Sequence, residues 1–125
     1  MSNPYQLTLE VLLPPGSFTN EKFISPPSGK LFVIDYVSGF GDIPTPQKMT
    51  AVSVSTVVNH QMVEHLFIPL YTGTYNGTTD QFVVSARTRL YAMVESLRFI
   101  ANRDGNTGNG NFIFSLSGHL EDLPQ

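Results

Sequence analysis

The feature that most constrains this chain is a hydrophobic period of two, interrupted by Gly, Pro, Asn and Asp. Tyr5, Leu7, Leu9, Val11 and Leu13 fall on one face of an extended segment, with Gln6, Thr8 and Glu10 on the other. That alternation belongs to a half-buried strand, and Pro14-Pro15-Gly16 ends it. A shorter segment at 18–24 is closed by Pro26-Pro27-Ser28-Gly29, and residues 31–37 follow, apolar on both faces except at Asp35. A run of that kind suits a central strand. Residues 39–46, with Gly39, Gly41, Pro44 and Pro46, read as a loop. The strand pattern returns at 50–58, and Asn59 turns the chain into 61–70, where Met62, Leu66, Ile68 and Leu70 share a face. Residues 71–80 form a polar loop, and 82–91 alternate again, with Arg87, Arg89 and Tyr91 on the side opposite Phe82, Val84 and Leu90. The end reads as a hairpin: 97–101, a turn over 102–111, then Phe112, Phe114 and Leu116 facing inward.

One stretch supports two readings. Leu90, Met93, Val94, Leu97 and Ala101 also fit helical spacing, so 89–97 is either strand or a short helix. Seven or eight strands without βαβ alternation specify an all-β fold, an antiparallel β-sandwich of jelly-roll type. The 125 residues form a single domain, 1–125, with no internal repeat or linker.

Composition narrows the function. Charged residues make up 14% of the chain, against about a quarter in an average soluble domain. Their place is taken by 11 Ser, 11 Thr and 8 Asn. A formal charge of -3 disfavours phosphate backbones, so no nucleic-acid partner is expected. No run reaches the ~18 apolar residues of a membrane span, so no insertion is expected. Met-Ser-Asn-Pro-Tyr5 lacks a basic head and apolar core, so the localisation expected by default is cytoplasmic. The absence of cysteine removes disulfides, thiol catalysis and thiolate metal sites.

Three segments carry a resemblance. They are Ser25-Pro26-Pro27-Ser28-Gly29-Lys30-Leu31-Phe32-Val33-Ile34-Asp35-Tyr36-Val37-Ser38, then Arg89-Leu90-Tyr91-Ala92, and Ser117-Gly118-His119-Leu120-Glu121-Asp122. In that order the chain resembles a set of short bacterial all-β proteins with a Pro-x-Gly-Lys-x-Leu-Val-Ile-x-Tyr-Val-Ser segment and a terminal Ser-Gly-Tyr-Leu-type strand. His119 stands where those proteins have Tyr. The resemblance implies the fold and a bacterial origin; it supplies no catalytic or binding residue.

Few residues suggest chemistry. His60 and His65, five apart on one expected strand, point to opposite faces, and His119 is remote, so no metal site and no cofactor is expected. The Asn102–Asn111 segment offers a single carboxylate, Asp104, too few for a calcium cage, and its Gly and Asn suit a turn. No Gly-x-Ser-x-Gly elbow occurs, and Glu10, Glu64, Glu95 and Asp35 are scattered carboxylates, so the chain is expected not to be an enzyme. Asp35, alone in its apolar strand, needs a donor or solvent, and Arg87 and Arg89 are candidate partners. The loop at 71–80 is more suggestive. Tyr71 and Tyr75 offer rings that stack on the apolar side of a sugar, while Asn76 and Asp80 can bond hydroxyls in pairs. These four are the expected ligand-binding residues. The Asn76-Gly77-Thr78 sequon is expected to be idle.

Low charge at a mean hydropathy of -0.02 implies apolar surface that subunit contact would cover. The chain is therefore expected to partner itself, with a trimer favoured by analogy of fold, through the face of 50–58 and the Arg87/Arg89/Tyr91 face. The expectation is a non-enzymatic homo-oligomeric module that binds carbohydrate weakly through loops. The alternative is a structural or assembly protein, such as a phage-particle or surface component.

Overall fold

A computed structural model describes residues 3–93 and 97–123. Nine strands occur among them: β1 (Asn3–Leu13), β2 (Thr19–Ile24), β3 (Lys30–Pro44), β4 (Met49–Val58), β5 (Gln61–Phe67), β6 (Leu70–Tyr75), β7 (Thr79–Ala92), β8 (Leu97–Arg103) and β9 (Gly110–Asp122). They build two antiparallel sheets, one in the order β1-β9-β3-β7-β6 and one in the order β2-β8-β4-β5. The pairing is nested: β1 with β9, β2 with β8, β3 with β7 and β4 with β5. A long ribbon folded over itself in this way is a jelly roll, and the expected all-β sandwich is what the chain forms.

The core follows the alternation. Val11, Leu13, Phe32, Val37, Val52, Val54, Phe99, Phe112 and Phe114 are buried between the sheets. Phe99 and Phe114, from opposite sheets, meet with ring centroids 5.1 Å apart and planes at 58°, a favoured aromatic arrangement. Phe112 adds a second such contact on Phe114 at 4.8 Å.

Three expectations are corrected. Residues 39–44 are not loop but the end of β3. Their glycines are there for space: a Cβ on Gly41 would lie 2.3 Å from the Asn111 carbonyl oxygen, and one on Gly39 2.5 Å from the Phe112 ring. Residues 71–80 are likewise not a loop. Leu70–Tyr75 pairs with β7, which brings the count to nine strands where seven or eight were expected. The terminal segments are strands but not a hairpin with each other, since β8 belongs to the four-stranded sheet and β9 to the five-stranded one. Residues 104–109 therefore cross between sheets. Of the two readings of 89–97, the described ends take the strand one: Arg89 to Ala92 continue β7 and Leu97 begins β8; Val94 to Ser96 lie outside the described residues.

Sequence reasoning missed the buried Arg103, which is 3% exposed. Its Nε donates to the Ser17 carbonyl at 2.9 Å, its Nη2 to Pro14 at 3.1 Å and Gly108 at 3.0 Å, and its Nη1 to Thr107 at 3.3 Å. One guanidinium thereby gathers the β1–β2 and β8–β9 connections by satisfying four carbonyls.

Candidate functional site at the β6–β7 hairpin

β6 and β7 are joined by a tight turn in which Asn76 and Gly77 both take positive φ, 52° and 68°. The Thr78 amide donates to the Tyr75 carbonyl at 3.1 Å. Asn-Gly at the two central positions is the pairing that a type I′ hairpin requires, so Asn76 shapes the turn. The four expected ligand-binding residues are thus brought to one hairpin, but they divide into two kinds. Tyr71 and Tyr75 are exposed, at 57% and 51%. Asp80 is buried, and its Oδ1 accepts from Thr45 Oγ1 at 2.7 Å and Thr74 Oγ1 at 2.5 Å. Those bonds fasten the hairpin to the 44–46 segment, helped by the Thr45 amide donating to the Thr78 carbonyl at 2.9 Å. The phenols are also engaged: Tyr75 donates to Gln81 Oε1 at 2.9 Å, and Tyr71 Oη lies 2.5 Å from Thr74 Oγ1. The Tyr71 ring also tilts against Phe82, centroids 5.7 Å apart, and both tyrosines remain about half exposed.

Beside the hairpin lies an open cleft of about 500 Å³, within the ~300–1,000 Å³ of small-molecule sites. Tyr71 and Asp80 reach it from β6 and β7, Phe82 and Met49 form apolar wall, and Lys48 contributes a cation. An aromatic face with a charged donor beside an apolar wall suits a ligand with both hydroxyls and a C–H surface. Lys48 and Met49 were not found from sequence, because nothing in Thr45-Pro46-Gln47-Lys48 signals that it faces a hairpin thirty residues on. Asn-Gly was the available signal for the hairpin itself.

Other polar residues settle elsewhere. Asp35 occupies a β-bulge between Ile34 and Tyr36 on β3. The bulge aims it outward, where its oxygens lie 3.9 Å from Arg89 Nε and 3.7 Å from His119 Nδ1. His119 Nε2 sits 2.8 Å from Glu121 Oε2. Gly118 faces the bulge so closely that a Cβ would lie 1.8 Å from the Val33 carbonyl oxygen, so the Ser117-Gly118-His119 motif has a packing role there. His60 is not on a strand: with Asn59 it forms the two-residue β4–β5 turn, φ 65° and 53°. His65 points inward 3.4 Å from Thr56 Oγ1, and burial pushes its imidazole below the ordinary 6.5. Among the described residues no three His, Asp or Glu side chains gather as metal ligands. Glu10 accepts from Asn111 at 2.7 Å on the five-stranded sheet, while Glu64 accepts from Ser53 at 3.0 Å on the other; Glu95 lies outside the described residues. No helix is long and apolar enough to cross a membrane among the described residues.

Comparison with protein-family models and with curated proteins finds no match for this chain.

Proposed function

We propose that this chain is a non-enzymatic, homo-oligomeric binding module that joins its subunits through the β5–β6 corner and holds a glycan weakly beside Tyr71. The observation that carries the reading is the corner itself. Of twelve large apolar side chains exposed among the described residues, four gather at this corner: Met62, Leu66, Ile68 and Leu70. Ile68 is 71% exposed and Leu70 68%. Glu64 is the one Asp, Glu, Lys or Arg from 61 to 79, so an acidic chain meets little self-repulsion there. Four such side chains expose on the order of 400 Å² of apolar surface, about half of the ~800 Å² per partner in a standard interface. β5 also ends its sheet, and edge strands are where a further chain can pair.

Sedimentation equilibrium at micromolar concentrations tests this. A closed oligomer, with a trimer favoured, is the expected result, and a strict monomer contradicts it. For the ligand, a glycan array run with wild type, Tyr71→Ala and Tyr75→Ala is expected to show weak binding that the variants lose. Multivalency would raise the avidity of such weak sites. The same corner favours a second reading, a structural or particle-assembly protein. That reading predicts light-scattering masses beyond a closed ring and no glycan binding.

A further inference from the structure

A second cleft, of about 460 Å³, lies at the β4–β5 turn and is lined by residues of β4 and β5 from one sheet and by Leu31 of β3 and 89–91 of β7 from the other. β6 pairs only with residues 79–83 of β7, so the far half of β7 has no neighbour on that side. Val58, Val63 and Leu90 provide apolar wall, and His65, Arg89 and Tyr91 bring polar atoms to it. Among the described residues no carboxylate lines this cleft. Glu64, next to Val63, turns to the opposite face of β5, where it lies 3.9 Å from Arg98. Arg89 is therefore the cleft's one permanent charge. Asp35 approaches it only from the outer face and only at Nε, 3.9 Å away, with the Arg89 side chain 70% exposed. A guanidinium donates through five N–H groups, so its terminal nitrogens keep capacity for a second anion. His65, held below its ordinary range by burial, is an uncharged imidazole near pH 7.

We propose that this cleft binds a small monocarboxylate with an apolar body, its carboxylate on Arg89 and its hydrocarbon against Val58, Val63 and Leu90. A neutral molecule of the same shape gains the wall but not the guanidinium. A dianion has no second cation to meet, because Arg87 lines a separate concavity with Asp35 and Tyr36. This site is distinct from the Tyr71 cleft and takes a different chemical class.

The test is an amide-shift NMR titration of the full chain with octanoate and, separately, octanol, using wild type, Arg89→Gln and Asp35→Asn. Octanoate is expected to shift residues 58–65 and 89–91 and to bind more tightly than octanol. Arg89→Gln is expected to weaken octanoate roughly tenfold, the loss of one hydrogen bond to a charged group, and to leave octanol unchanged. Asp35→Asn, which removes the competing carboxylate, is expected to tighten octanoate by about twofold to fivefold, the scale of one exposed ion pair. The Arg89 side chain is 70% exposed and that of Asp35 49%, so both variants are expected to retain the fold, as unchanged spectra elsewhere would show. Equal binding of octanoate and octanol overturns the proposal. So do shifts confined to other regions, an unaltered Arg89→Gln affinity, or no binding at all.

Discussion

The two outward faces of the sandwich grow from the same alternation and carry different chemistry. On the five-stranded sheet the register sets Thr8, Ser115, Ser38 and Ser85 side by side across β1, β9, β3 and β7. The next row is Gln6, Ser117, Tyr36 and Arg87. These two rows are polar; the row two residues further along, Glu10, Ile113, Phe40, Val83 and Leu70, is mostly apolar, with Phe40 45% and Leu70 68% exposed. On the four-stranded sheet the rows read Glu21, Ile100, Ser53, Leu66 and then Phe23, Arg98, Ser55, Glu64. Here Ser53 and Ser55 face outward yet are 1% exposed, with Glu64 bonded to Ser53 and Arg98 lying between Glu21 and Glu64. Serine on a sheet face is therefore not one kind of residue. In the first face it is solvated floor. In the second it is covered by its neighbours' long side chains, with Phe23, Leu66 and Met62 standing above it, 55–64% exposed. The hydroxyl rows of the first face offer no apolar surface, whereas the second face presents Phe23, Met62 and Leu66 beside the β5–β6 corner.

The largest expected effect removes both faces together and so acts as the reference. Arg103→Ala takes a donor from four connection carbonyls, of which Thr107 keeps Gln47 Nε2 and Pro14 keeps the Ser17 amide. Urea unfolding is expected to show a loss of about 3 kcal/mol or more, the scale for breaking a buried charged network. A loss under about 1 kcal/mol would mean that the two connections hold without it. Next, a charge placed on each face separates them. Leu66→Glu with Ile68→Glu is expected to weaken self-association at least about a hundredfold, whereas Thr8→Glu on the other face leaves it unchanged. Equal effects would erase the distinction. A smaller, matched pair reads the two serines. Ser53→Val loses the bond to Glu64 and is expected to cost about 1–2 kcal/mol, while Ser115→Val stays within about 0.5 kcal/mol.

The smallest effect is on pH. Because the folded chain holds His65 below its ordinary 6.5, the unfolded chain takes up the proton first. Stability is therefore expected to be full above that value and to fall as pH drops through it, with the decrement reduced in His65→Gln. Asp122, lowered by its hydrogen bond to and the charge of Lys30, acts in a lower window, below 3.8, and in the same direction.

How much of this was legible in the chain depends on whether one strand or two decides the matter. The buried sides of β1, β4 and β7 follow from period two alone, as do Phe112, Phe114 and Leu116. Gly39 and Gly41 misled because glycine in sequence signals a turn, whereas here it makes room for Phe112 and the Asn111 carbonyl on a neighbouring strand. The β6 strand was hidden because Thr72, Gly73 and Thr74 carry no apolar stripe, and its pairing rests on backbone bonds. Asn76-Gly77 did announce the turn. The division of the candidate site was not legible, since Asp80 is taken up by Thr45, thirty-five residues away. Nor was the sheet assignment of β8 and β9, which local pattern cannot distinguish from a hairpin. Tyr71 beside Lys48 and Arg89 beside Val63 are both products of the nested ribbon, which only pairing register fixes.

The central claim is that the β5–β6 corner and the four-stranded face are covered by a second copy while the hydroxyl face stays open. Hydrogen–deuterium exchange followed by mass spectrometry, across a dilution from about a hundred micromolar to well below one, tests it most directly. Peptides spanning 61–71 are expected to lose protection on dilution while those spanning 3–12 and 111–118 do not change. Protection of 61–71 that is independent of concentration, or loss confined to the hydroxyl face, would contradict it.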